Sequence, residues 1–126
     1  WPFRRVLALR PALAPAQSRL SVPLHVPEQG ARLQTAVGVH PQWWFRMPPT
    51  RVGFRLVVES AGERRELFAQ SILPARELAD RRWTEVDVSL DEWAGRDIHI
   101  EFLCDTDRTR GETVWMGGWA EPRLVQ

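Results

Sequence analysis

The segment Trp43-Trp44-Phe45-Arg46 offers the clearest chemistry in the chain. Neighbouring side chains in a strand point to opposite faces, so three consecutive aromatics cannot all enter one core. Met47-Pro48-Pro49 follows and argues for a loop. At least one ring is therefore expected to be exposed, where it can stack on the apolar face of a pyranose or bury against a neighbouring domain. Arg46 adds a fixed planar fork suited to hydroxyls or to an acidic sugar. His40 stands just ahead of the aromatics, at the rim. Trp115, before Met116-Gly117-Gly118, joins the same face if its loop shares an end of the fold with Trp43 and Trp44. The expected ligand-binding set is Trp43, Trp44, Arg46, His40 and Trp115.

Asp105, Asp107 and Glu112 supply hard oxygen atoms of the kind Ca²⁺ prefers, and form the expected metal set. Their spacing is not that of an EF-hand, because Arg110 stands where a glycine makes the sharp turn. Arg108 and Arg110 also lie among the acids and can neutralise them by pairing. No other cofactor is expected. Catalysis finds little support. His25, His40 and His99 are far apart and lack partners at metal-ligand or triad spacing. Cys104 alternates with Phe102 and Ile100, which makes it a small buried hydrophobe rather than a nucleophile. A chain without Lys has no amine nucleophile, and Gly117-Gly118 is a lone turn rather than a phosphate loop. No enzyme activity is expected.

Composition bounds the rest. The 126 residues make one ordinary domain, 44% hydrophobic and 26% charged. No apolar run approaches the ~20 residues of a membrane-spanning helix. Residues 1–50 carry six Arg and one acid (net +5), while 51–126 carry eleven Arg and fifteen acids (net −4). That gradient is too modest for nucleic-acid binding, since acids beside Arg64-Arg65 and Arg81-Arg82 cancel most of their field. All seventeen basic residues are Arg, and Ala and Pro abound, as a GC-rich bacterial genome produces. Seven Trp are not explained that way. The single Cys forms no internal disulfide and leaves the compartment open. A chain that opens on Trp1 without Met reads as a segment of a larger protein, with residues 10–18 a Pro/Ala-rich loop or linker.

Period-two alternation dominates the chain. Val52, Phe54, Leu56 and Val58 are apolar in one stretch, and Ile98, Ile100, Phe102 and Cys104 repeat the pattern with Asp97, His99 and Glu101 on the polar face. Val86, Val88 and Leu90 do so again, as do Leu33, Thr35, Val37 and Val39. Leu20 to Val26 is a further strand, which Pro23 and Pro27 push to a sheet edge. Strands over Glu63 to Ala69 and Trp119 to Val125 complete the set. Residues 74–81 start with Pro as a helical turn does, but span barely two turns. Seven or eight short strands in one domain predict an all-β, two-sheet antiparallel sandwich with jelly-roll connectivity. The immunoglobulin-type alternative lacks its Cys…Trp…Cys signature.

The second half carries Val52-Gly53-Phe54-Arg55-Leu56, then Leu67-Phe68, then Trp83-Thr84-Glu85-Val86-Asp87-Val88-Ser89-Leu90. Trp93-Ala94-Gly95-Arg96-Asp97-Ile98 follows, and Trp119-Ala120-Glu121-Pro122-Arg123-Leu124 closes the series. With the stretch Thr35 to Trp44 ahead of it, this arrangement resembles the galactose-binding-like jelly-roll domains that accompany bacterial glycoside hydrolases, sulfatases and cell-envelope proteins. The resemblance covers about residues 31–126. It implies a non-catalytic accessory module in an extracytoplasmic or cell-envelope setting. The implied partner is a carbohydrate or a neighbouring domain of the same protein. It also marks Trp119 as structural; the strand pattern itself leads into a tight turn at Gly95, with Trp83 and Trp93 capping the sandwich.

Overall fold

The computed structural model describes residues 6–8, 17–41, 44–45, 51–106 and 117–126. Eight strands form: β1 (Val6–Ala8), β2 (Gln17–His25), β3 (Arg32–Val39), β4 (Val52–Ser60), β5 (Glu63–Ile72), β6 (Thr84–Ser89), β7 (Asp97–Thr106) and β8 (Gly117–Val125). No α-helix occurs among the described residues; the turn expected over 74–81 reduces to a 3-10 turn at Leu78–Asp80. No described helix is long and apolar enough to cross a membrane.

The strands pair antiparallel in two sheets, ordered β1-β8-β3-β6 and β2-β7-β4-β5. Every consecutive pair except the β4–β5 hairpin crosses from one sheet to the other, which is the jelly-roll arrangement of two Greek keys. β2 lies at a sheet edge, with Pro23 opposite His99. An edge tolerates the missing N–H that a central strand would need. β2 includes Gln17 and Ser18, so the expected loop over 10–18 gives up its last two residues to a strand.

The alternation translates directly into a core. Phe54, Leu56 and Val58 of β4 meet Ile98, Ile100, Phe102 and Cys104 of β7, and Leu33, Val37, Val86 and Trp119 of the other sheet close over them. At one end the turns are knit by backbone bonds: Val26 donates to Arg96, Leu90 to Ala31 and Gly95 to Val26. Gly95 has φ +75°, in the left-handed region that a side chain disfavours. Trp93 is buried beside it and Trp83 is half-buried, in keeping with structural roles.

The opposite end gathers the long connections. Val39 pairs with Gly117, Val52 with both Ile72 and Thr106, and Gln17 with Asp105. The strand ends that flank residues 9–16, 40–51, 73–83 and 107–116 therefore all lie at this one end.

Candidate functional site

The topology meets the condition for a shared face: the segments holding Trp43 and Trp115 are tethered to the same end of the sandwich. Trp43, Arg46 and Trp115 themselves lie outside the described residues, as do Asp107 and Glu112. His40 is exposed, one residue beyond β3. Trp44 is half-buried and packs against the hydrophobic core, and its indole N–H donates to the Val39 carbonyl at 2.9 Å. This ring latches the segment onto the end of the sandwich. The next ring is presented to water: Phe45 is 67% exposed.

Phe45 is held from the neighbouring segment. The Arg81 guanidinium lies over its ring, 4.5 Å from the centroid, a cation–π contact of about 0.5–1 kcal/mol at an exposed position. Arg81 is itself fixed, its Nε donating to the Pro74 carbonyl at 2.7 Å. The Asp80 carboxylate accepts from the Leu73 N–H at 2.8 Å and closes the same turn. The geometry is a single aromatic face in water, buttressed by an anchored cation. The sequence predicts an exposed ring within Trp43-Trp44-Phe45 with Phe45 outside the ligand set, and nothing in the spacing of residues 45 and 81 signals their stacking.

Asp105 stands near the end of β7, on the outer face of the β2-β7-β4-β5 sheet. It lies opposite Gly53, and a Cβ placed on that glycine would come within 2.4 Å of Asp105 Oδ1. Glycine is thus the residue that lets the carboxylate lie flat across β4. No cluster of three or more metal-ligating side chains exists among the described residues.

Two further groups bear on catalysis. His99 is exposed on the outer face of β7, as its place in the alternation predicts. Cys104 is buried at 1% exposure. Burial first, and the Asp105 carboxylate second, push its thiol up from 9.0 to about 12. The thiolate that a nucleophile requires is therefore disfavoured. With neither Lys nor Tyr in the chain, Cys104 is the side chain whose ordinary range falls near pH 9. Above that pH the unfolded thiol ionises while the folded one keeps its proton. The unfolded state then binds fewer protons, and stability falls by about 1.4 kcal/mol per pH unit from this group. Urea titrations at pH 8, 9 and 10 should show this decline in the wild type and its disappearance in Cys104→Ala. An identical slope in both proteins would remove the thiol as its cause.

The polar face of β7 holds a feature that alternation conceals. Glu101 is only 2% exposed, although its neighbour on that face, His99, is open to water. Arg19 Nη1 approaches Oε1 at 3.3 Å and Arg64 Nη2 approaches Oε2 at 2.5 Å. Two guanidinium groups from β2 and β5 reach over the central strands and bury one carboxylate beneath them.

No protein-family model matches the chain. A protein of Archaeoglobus fulgidus described as uncharacterized is 27% identical over 104 residues, covering 80% of this chain. The chain spans about a quarter of that relative's length. Among solved structures, TmCBM61 in complex with beta-1,4-galactotriose matches with a TM-score of 0.51 and 12% identity, covering 96% of this chain and 67% of its own. At that identity the likeness shows the fold alone: this chain shares the β-sandwich of a carbohydrate-binding module.

Proposed function

We propose that this chain is a non-catalytic accessory module that binds carbohydrate at the loop end of its sandwich. The observation that carries the reading is Phe45, an aromatic face kept in water by a latched Trp44 on one side in sequence and an anchored Arg81 above it. A flat ring largely open to water suits the apolar face of a sugar. Trp43, Arg46, His40 and Trp115 are the further contacts we assign to this end, with Trp44 fixing the segment that carries them. The structural likeness to a module solved with a galactotriose supports the same class of ligand.

A second reading has its own observation. Leu78, 76% exposed, sits in the turn that also carries Arg81. Together with Phe45 it places two large apolar side chains at one end, as a docking face against a neighbouring domain would.

The test is a titration of intrinsic Trp fluorescence with beta-1,4-galactotriose and a panel of neutral and acidic soluble glycans. It is run in Ca²⁺ and in EDTA, because Asp105, Asp107 and Glu112 form the hard-oxygen set expected from the sequence. We expect a saturable response in the wild type, weakened about tenfold or more in Phe45→Ala and Trp43→Ala with the thermal midpoint held. Trp44→Ala should instead lower the midpoint, since it loses both core packing and a hydrogen bond. A flat response to every glycan would remove the binding reading in favour of docking.

A further inference from the structure

A cleft of about 230 Å³ opens on the outer face of the β2-β7-β4-β5 sheet, at its loop end. Its plan follows from the register. Asp105 of β7, Gly53 of β4 and Ser71 of β5 form one row across three strands, and Arg55 and Ala69 stand two residues along. Gly53, Ala69 and Ser71 give a floor of small residues. The Asp105 carboxylate lies across Gly53, and Arg55 bounds the depression beside it. Large side chains at 53, 69 or 71 would fill the space, so the depression is written in residue size.

The lining selects a chemistry. Asp105 is half-buried and makes no side-chain hydrogen bond or ion pair with a described residue, while Arg55 reaches only a distant contact, 3.9 Å, with Glu66. A carboxylate accepts hydrogen bonds, a guanidinium donates them and the Ser71 hydroxyl does both. With a carboxylate and a guanidinium on one lining, a singly charged ligand meets a like charge as well as an opposite one. A neutral molecule carrying several hydroxyls satisfies all three at once, giving hydrogens to Asp105 and accepting them from Arg55.

From this geometry we infer that the cleft over Gly53 is a second sugar-binding position, taking one neutral pyranose by its hydroxyls. It rests on the carbohydrate reading but uses none of the loop-end aromatics. Gly53 has a defined part in it. The atom that a Cβ would strike is the tip of the Asp105 side chain, which can swing aside. Gly53→Ala therefore keeps the fold while moving the carboxylate and raising the floor.

The experiment is a ¹H–¹⁵N NMR titration of the intact chain with methyl β-D-galactopyranoside and methyl β-D-glucopyranoside, in EDTA. Wild type, Gly53→Ala, Asp105→Asn and Phe45→Ala are compared, with glucuronate and Ca²⁺ as separate titrants. We expect saturable shifts at Gly53, Ser71 and Asp105 with at least one neutral glycoside. They should weaken about tenfold or more in Gly53→Ala and Asp105→Asn, as loss of a charge-assisted hydrogen bond implies, and persist in Phe45→Ala. Shifts confined to residues 40–45 and 78–81 would overturn the cleft and leave the loop-end reading standing. No shift with either glycoside, set beside a saturable response in the fluorescence titration, would do the same; silence in both would sink the two together. Cleft shifts produced by Ca²⁺ or glucuronate and absent with both neutral sugars would assign the cleft to an ion and overturn the proposal. Amide spectra that lose their dispersion in Gly53→Ala would make Asp105→Asn the deciding variant.

Discussion

Trp119→Ala is expected to lower the unfolding free energy by about 3–5 kcal/mol, the range for removing a large aromatic from a packed core. Trp119 is fully buried in β8 and meets three phenylalanines edge-on: Phe54 at 5.8 Å, Phe68 at 6.1 Å and Phe102 at 5.3 Å between centroids. Those partners come from β4, β5 and β7, so one side chain of the first sheet clamps three strands of the second. Its indole N–H is buried and has no hydrogen-bond acceptor among the described residues. That orphan donor is a cost that Trp119→Phe removes while keeping most of the ring contact. Trp119→Phe should therefore lose roughly 1–2 kcal/mol, well under half the alanine effect. Urea denaturation of the two variants measures both numbers. Equal losses would show that ring packing is not what the tryptophan contributes.

Removing the two arginines over Glu101 should be far more damaging than removing Glu101. Arg19→Ala with Arg64→Ala leaves a buried carboxylate without a counter-charge, and losses of about 3–5 kcal/mol follow from stranding such a group. Glu101→Leu strands nothing comparable. Both arginine side chains are about half exposed, so their guanidinium groups can turn into water, and the apolar replacement fits beside buried Leu103 and Val57. Its expected change is within about 1 kcal/mol of zero, in either direction. Denaturant midpoints of the leucine variant and the double alanine variant decide the matter. A leucine variant as unstable as the double alanine one would mean that the ion triad itself, rather than the burial of Glu101, supports the sheet.

Both predictions turn on the difference between a residue's face and its burial. Alternation assigns Trp119 and Glu101 to faces, because successive strand side chains point to opposite sides. It reads Val52 to Val58 and Ile98 to Cys104 as core strands, and their even positions are indeed buried. Alternation gives no depth on the outer side, where Glu101 lies under Arg19 and Arg64 while His99 stays in water. Those arginines sit 82 and 37 positions away in the chain, at distances no local pattern spans. The same limit hid the Phe45–Arg81 stack and the Asp105–Gly53 contact, each made between separate segments.

What the amino-acid order alone determined is the all-β sandwich, its edge strand at Pro23, its core and an aromatic segment that could not be wholly interior. These are local consequences of side-chain periodicity, backbone constraint and turn chemistry. Tertiary structure decided which end of the sandwich collects the long connections, which of the consecutive aromatics serves as latch and which faces water, and that a carboxylate lies across a glycine on the outer face. Those outcomes depend on strand order and register. Both are set by the packing of the two sheets as a whole, since a one-residue slip would send every side chain to the other face.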